Sequence, residues 1–132
     1  RAADLETEKI MLAVANREKE RWLRTEDAEK FPCKELRTID QLWLKYSRGK
    51  FGISVQQKIY QSLGGTREYN GDVWWGSMGD RVGWRQGGQW LAYSDINFSQ
   101  TAPSGHLPAT GGRVGSGFVF IGYFPPVQTC RV

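Results

Sequence analysis

The stretch from Phe31 to Gln57 constrains this chain most, because it combines strong helix signals with more large apolar side chains than one small helix can hide. Leu36, Ile39, Leu42, Trp43 and Tyr46 recur at three- and four-residue steps, which puts them on one stripe of a helix that would face a core. Leu44 falls off that stripe. Pro32 suits the first turn of this helix, expected over Cys33–Tyr46, and Gly49 suits its C-cap. Phe51, Ile53 and Val55 then alternate just before a second helix, expected over Val55–Leu63 and closed by Gly64 and Gly65. Ser54 followed three residues later by Gln57 reads as the capping box that opens it. The pattern predicts two helices joined by an apolar elbow.

Ahead of this stretch the spacing predicts a helix over Ala2–Ala15, a turn or two around Glu18–Leu23, and a short helix over Glu26–Lys30 behind the N-cap Thr25. Beyond Gly64 the physics changes. Of the 16 glycines, 14 fall between Gly64 and Gly122, while Trp74, Trp75, Trp84, Trp90, Tyr93 and Phe98 crowd together. Glycine at that density disfavours long regular elements, and unpatterned aromatics need a partner to bury them. Disorder goes with few aromatics, so ordered loops and short helices folded over the helical half are expected. The segment VGWRQGGQWLAYSDINF reads equally well as a two-stranded hairpin around Gly87 and Gly88. The expected fold is mostly α, a single domain of 132 residues with long glycine- and aromatic-rich loops.

Several function classes find little support. A net charge of +4 is spread among mixed signs rather than stacked in a block, so the basic groove that tracks nucleic-acid phosphates is missing. The longest apolar run, Phe118–Phe124, falls far short of the roughly 20 residues of a membrane-spanning helix, which leaves peripheral membrane association open. No leading segment resembles a targeting peptide, and the chain opens on Arg1 as a piece of a longer protein would. Cys33 and Cys130 stand far apart and outside any CxxC pair, so both are expected as free thiols in a reducing compartment. His106 is the one histidine and the only residue of the usual base type, in the rigid loop PSGHLP, where a lone histidine reads as a surface or hydrogen-bonding residue rather than a catalyst. With an iron-bearing ligand its imidazole would be an axial ligand. Asp72, Asp80 and Asp95 suit capping or arginine pairing better than proton transfer. GDRVG and GGRVGSG match neither phosphate-binding glycine pattern. What remains is a set of apolar and aromatic residues accompanied by Arg81, Arg85 and Arg113, a combination suited to a planar ligand that bears carboxylates.

The blocks FPCKELRTIDQLWLKYSRGKFGISVQ, GDRVGWR, WLAYSDINFS and APSGHLP, in that order and preceded by ADLETEKIML, resemble the Genomes Uncoupled Four domain family. These are tetrapyrrole-binding regulators of magnesium chelatase in oxygenic phototrophs, and the chain looks like a divergent cyanobacterial member. The resemblance implies a mostly α cupped-hand fold without enzymatic activity of its own. Its apolar concave side would receive a non-covalently held tetrapyrrole: protoporphyrin, magnesium protoporphyrin, haem or a bilin. It also implies a partner, the porphyrin-binding subunit of magnesium chelatase. The ligand-binding positions it implies are Leu42, Leu44, Phe51, Ile53, Trp84, Trp90, Tyr93, Phe98, His106, Leu107, Arg113 and Phe118. The location would be the cytoplasm in a cyanobacterium and the chloroplast in an alga or plant.

The chain departs from the family pattern in three places. The position of Ile53 is commonly aromatic in the family, YNGDVWWGSM is an unusual insertion, and the tail from Gly111 is unlike that of the chelatase-regulating members. Two other classes stay open beside the leading one. One is a tetrapyrrole-modifying enzyme or a photoactive haem- or bilin-handling protein; the other is an interaction module whose groove takes a partner helix.

Overall fold

The computed structural model describes residues 2–20, 27, 30–65 and 77–109. Arg113, Phe118, Cys130, the Trp74–Trp75 pair and nearly all of the helix expected over Glu26–Lys30 lie outside them. The described part is helix-dominated, with α1 over Ala2–Val14, α2 over Cys33–Ser47, α3 over Ile53–Ser62 and a one-turn α4 over Gly79–Arg81. None of these helices is long and apolar enough to cross a membrane.

The buried stripe of α1 is Asp4, Thr7, Met11 and Leu12, half of it polar. Helix α2 starts directly after Pro32 rather than on it, with the Pro32 carbonyl accepting from the Leu36 N–H at 3.1 Å. It ends one residue before the expected glycine, at Arg48, whose φ of 58° is left-handed. Gly49 follows with φ 80°, and the two residues together turn the chain into the elbow.

Helix α3 starts two residues earlier than its sequence pattern suggests, and the expected capping box is not used. Gly52 is the N-cap, Ser54 lies inside the first turn, and the Ser54 N–H donates to Oδ1 of Asp40 at 2.8 Å. A buried carboxylate brought over from α2 thus does the work expected of a local side chain, and it sits favourably at the positive end of the helix. Gly52 makes the approach feasible. Its φ is 144°, and a Cβ there would stand 2.8 Å from Asp40 Oδ1.

Two buried clusters form the interior. Met11, Leu12, Phe31, Leu36, Ile39 and Ile53 pack where α1, α2 and the start of α3 meet. Phe51, Tyr60, Met78, Val82, Trp84, Ile96, Ala102, Leu107 and Ala109 form the second, between α3 and the glycine-rich half. Trp43 packs against both.

The described part of the glycine-rich half is loop with short elements, and it contains the expected hairpin. β1 (Arg85–Gln86) pairs antiparallel with β2 (Gln89–Trp90) across Gly87 and Gly88, whose φ values of 59° and 80° match the two-residue turn that suits strand twist. A 3₁₀ turn over Tyr93–Asp95 follows. The expectation of a free thiol at Cys33 is overturned, since its sulfur is disulfide-bonded. Separation along the sequence is a poor guide to bridging, because closure entropy grows only slowly with loop length.

Asp40→Ala strands the Ser54 N–H and opens a void beside Gly52, so urea unfolding should show a loss of about 1–3 kcal/mol. Asp40→Asn keeps an acceptor and should lose clearly less.

Candidate functional site

A cleft of about 420 Å³ lies along α1 and the second half of α2. Ala3, Glu6, Thr7 and Ile10 of α1 form one wall, and Ile39, Leu42, Trp43, Tyr46 and Ser47 of α2 another. Phe51, Leu107 and the segment Phe98–Gln100 complete the lining. Its volume falls within the roughly 300–1,000 Å³ typical of ligand pockets, and its lining is mostly apolar and aromatic. Leu42 and Tyr46 remain 52% and 73% exposed, so the end of the helical stripe that the spacing assigned to a core forms the rim of this cleft instead.

Each wall is held by hydrogen bonds. The Trp43 indole N–H donates to Thr7 Oγ1 at 3.0 Å, and that hydroxyl donates to the Ala3 carbonyl at 2.8 Å. The indole plane is therefore fixed between α1 and α2. Ser47 braces the elbow by accepting from the Phe51 N–H at 2.9 Å. The segment carrying Phe98 is a tight turn in which Asn97 Oδ1 accepts from the Ser99 N–H at 2.9 Å and Asn97 Nδ2 donates to Thr101 Oγ1 at 2.9 Å. Phe98 packs edge-on against Tyr93, with centroids 5.5 Å apart. At the mouth, Lys50 Nζ donates to the Gln100 carbonyl, and Gln100 Nε2 donates to the Tyr46 carbonyl at 3.3 Å.

Tyr93 in turn donates its hydroxyl to Asp4, which also accepts the Ala109 N–H at 2.7 Å. Burial raises the Asp4 pKa from 3.8 to about 6, against the two hydrogen bonds, which act to lower it. One carboxyl thereby ties the start of α1 to two points of the glycine-rich half.

The structure gathers Leu42, Phe51, Phe98 and Leu107 into the cleft and places Leu44, Ile53, Trp84, Trp90, Tyr93 and His106 elsewhere, while Arg113 and Phe118 lie outside the described residues. Leu44 is half-buried beside Gly52, and Ile53 is wholly buried in the first cluster. Trp84 is buried with its indole N–H on the His106 carbonyl at 2.8 Å, Trp90 covers Gly79, and Tyr93 holds Asp4. Arg85 pairs with Asp80 at 3.6 Å, and neither it nor Arg81 lines the cleft.

The axial-ligand role expected of His106 with haem is corrected. The ring is 1% exposed, its Nδ1 lies 2.7 Å from the Val82 carbonyl, and its Nε2 accepts the Asn97 N–H at 3.2 Å. Nδ1 therefore carries the proton, and neither nitrogen is left to face a ligand. Burial holds the imidazole below its ordinary pKa, with the Val82 bond acting the other way. His106 is a joint between loops. Among the described residues no group of three or more His, Cys, Asp or Glu side chains could hold a metal ion.

Trp43, Tyr46 and the α1 wall are the site residues that sequence reasoning missed. Trp43 and Tyr46 were visible as part of the helical stripe but were assigned to the core. Ala3, Thr7 and Ile10 do share helical spacing, yet small and polar side chains at that spacing carry no ligand signal.

A family model described as GUN4-like matches residues 1–119. The uncharacterized protein ycf53 of Porphyra purpurea is 36% identical over 110 residues, spanning 81% of this chain and 43% of that protein. A chloroplastic protein of Arabidopsis thaliana named tetrapyrrole-binding protein is 34% identical over 62 residues, 46% of this chain and 23% of that protein. The ligand-free structure of Arabidopsis thaliana GUN4 superposes with a TM-score of 0.71 at 25% identity, covering 96% of this chain and 83% of that one. The chain spans roughly two fifths of the length of the curated ycf53 relatives it matches.

Asp4 generates a pH signature. Its folded pKa lies above its ordinary value, so between pH 3.8 and about 6 the folded chain binds more protons than the unfolded one. Its cost to folding is absent below that window, grows through it, and is fully present above it at about 3 kcal/mol. Asp4→Asn removes the charge. Thermal melts should therefore show the variant gaining on the parent between about pH 4.5 and about pH 7.5, and a constant difference would contradict the assignment.

Proposed function

The chain belongs to the GUN4 family, and from that premise we propose that it is a non-enzymatic module that binds a tetrapyrrole in the α1–α2 cleft and so senses or regulates tetrapyrrole synthesis. The observation that carries this reading is the orientation-locked indole of Trp43 in an apolar cleft together with Tyr46, Phe51 and Phe98. Those rings suit a flat conjugated ligand, because stacked and edge-on contacts both need aromatic planes that do not swing away. The name of the chloroplastic relative, tetrapyrrole-binding protein, supports the same ligand class. Covering a few hundred square ångströms of such a ligand would contribute several kcal/mol, on the order of 25 cal/mol per Å², before ordering costs. That is ample for reversible capture without a covalent bond.

In this reading the residues bind and orient, and the chemistry belongs to the pigment and to the enzymes that make it. The partner we propose is the porphyrin-binding subunit of magnesium chelatase, in the cytoplasm of a cyanobacterium or in a chloroplast. Open lining around Leu42 and Tyr46 leaves part of a bound ring accessible for hand-over.

Titration with protoporphyrin, magnesium protoporphyrin, haem and biliverdin, followed by tryptophan quenching, tests the reading and ranks the ligands. Saturable quenching by at least one is expected, and none with any of the four would sink it. Leu42→Asp puts a charge on the cleft wall at a half-exposed position, so affinity should fall at least about tenfold with little change in stability. Leu5→Asp, on α1 at 46% exposure but outside the cleft lining, should bind as the parent does.

A further inference from the structure

The mouth of the cleft carries a cation that the binding reading leaves unused. Lys50 sits in the elbow between α2 and α3, half-buried, with its Nζ donating to the backbone carbonyl of Gln100. The same ammonium stands 5.9 Å from the centroid of the Phe51 ring. Lys50 is not itself a lining residue, but both of these contacts, Phe51 and Gln100, are, so the positive charge lies directly behind the lining at this end of the cleft. Among the described lining residues Glu6 carries the only formal charge, and it belongs to the α1 wall.

A backbone carbonyl is a neutral acceptor, and a carboxylate forms a charge-assisted bond about twice as strong. An ammonium has three donors, so it can take a carboxylate while keeping Gln100 or exchange one for the other. We infer that Lys50 is the carboxylate-recognising residue of the cleft and that the Gln100 carbonyl is its resting partner. The inference rests on the cleft being the tetrapyrrole site. It names the ligand subclass, planar macrocycles with free carboxylates on one edge, and it orients them. The acidic edge meets Lys50 at the elbow, away from Glu6, and the apolar remainder lies along Trp43. Because Gln100 also bonds the Tyr46 carbonyl, exchange at Lys50 removes a hydrogen bond that ties the Phe98–Gln100 segment to the elbow and leaves the bond to α2 in place.

The test crosses protein variants with ligand variants. Protoporphyrin and its dimethyl ester share a ring and differ only in charge at the carboxyl edge, so each is titrated into the parent, Lys50→Met, Lys50→Arg and Lys34→Met. Lys34, exposed in the first turn of α2, controls for net charge. The parent should prefer the acid, and Lys50→Met should lose about tenfold in acid affinity while ester affinity stays within about twofold, which also shows that the variant is folded. Lys50→Arg and Lys34→Met should keep the acid preference. Equal binding of acid and ester by the parent, or an equal loss of both in Lys50→Met, overturns the role of Lys50 and leaves the tetrapyrrole reading standing. Failure of both ligands to bind the parent overturns this inference, and the tetrapyrrole reading falls with it only if magnesium protoporphyrin, haem and biliverdin also fail to bind.

Discussion

Everything described above depends on a short backbone pairing between the elbow and the loop that carries His106. The Gly52 N–H donates to the Leu107 carbonyl at 3.0 Å, and the Gly105 N–H donates to the Lys50 carbonyl at 2.9 Å. These two bonds join a helical half, which has regular internal pairing, to a half whose described residues have little beyond the short β1–β2 hairpin. They also put Phe51 and Leu107 side by side in the cleft lining. They work together with the side-chain ties from Asp4 and Gln56 to seat the aromatic half on the helices.

The same join explains an unusual number of buried polar side chains. A glycine-rich loop cannot pair its own backbone groups in a ladder, and each one left unpaired in the interior costs free energy. Side chains of the helical half take on that task. Gln56 Nε2 donates to the carbonyls of Gly105 and Pro108, and Asp4 accepts from Ala109. His106 and Trp84 satisfy the backbone at Val82, Asn97 and His106 itself. Two buried side-chain oxygens on this frame, Asp40 Oδ2 and Gln56 Oε1, are left without a protein partner.

Much of the helical half was legible in the sequence. Periodicity located α1, α2 and α3 to within one or two residues, because apolar spacing and glycine stops act locally. It could say which face of α2 is apolar but not what covers that face, and so Leu42 and Tyr46 read as core. The N-terminus of α3 was misread for a related reason: Asp40, fourteen residues upstream of Ser54, supplies the acceptor, and no local pattern records a tertiary cap. The family resemblance pointed to Leu42, Phe51, Phe98 and Leu107, which the fold does bring together. It could not show that Ile53 is spent on the interior or that His106 has both ring nitrogens engaged.

Trp43 packs against both buried clusters and also lines the cleft. A molecule resting on that indole is therefore linked thermodynamically to the packing of both halves at once. Ligand that binds only the folded chain raises the free energy of unfolding by an amount that grows with the logarithm of its concentration. On the proposed reading that increment falls on a side chain packed against both clusters, so occupancy would couple the unfolding of the two halves. On the proposed binding reading, the cleft is then also a cooperativity device, through which ligand supply raises the stability of both halves together.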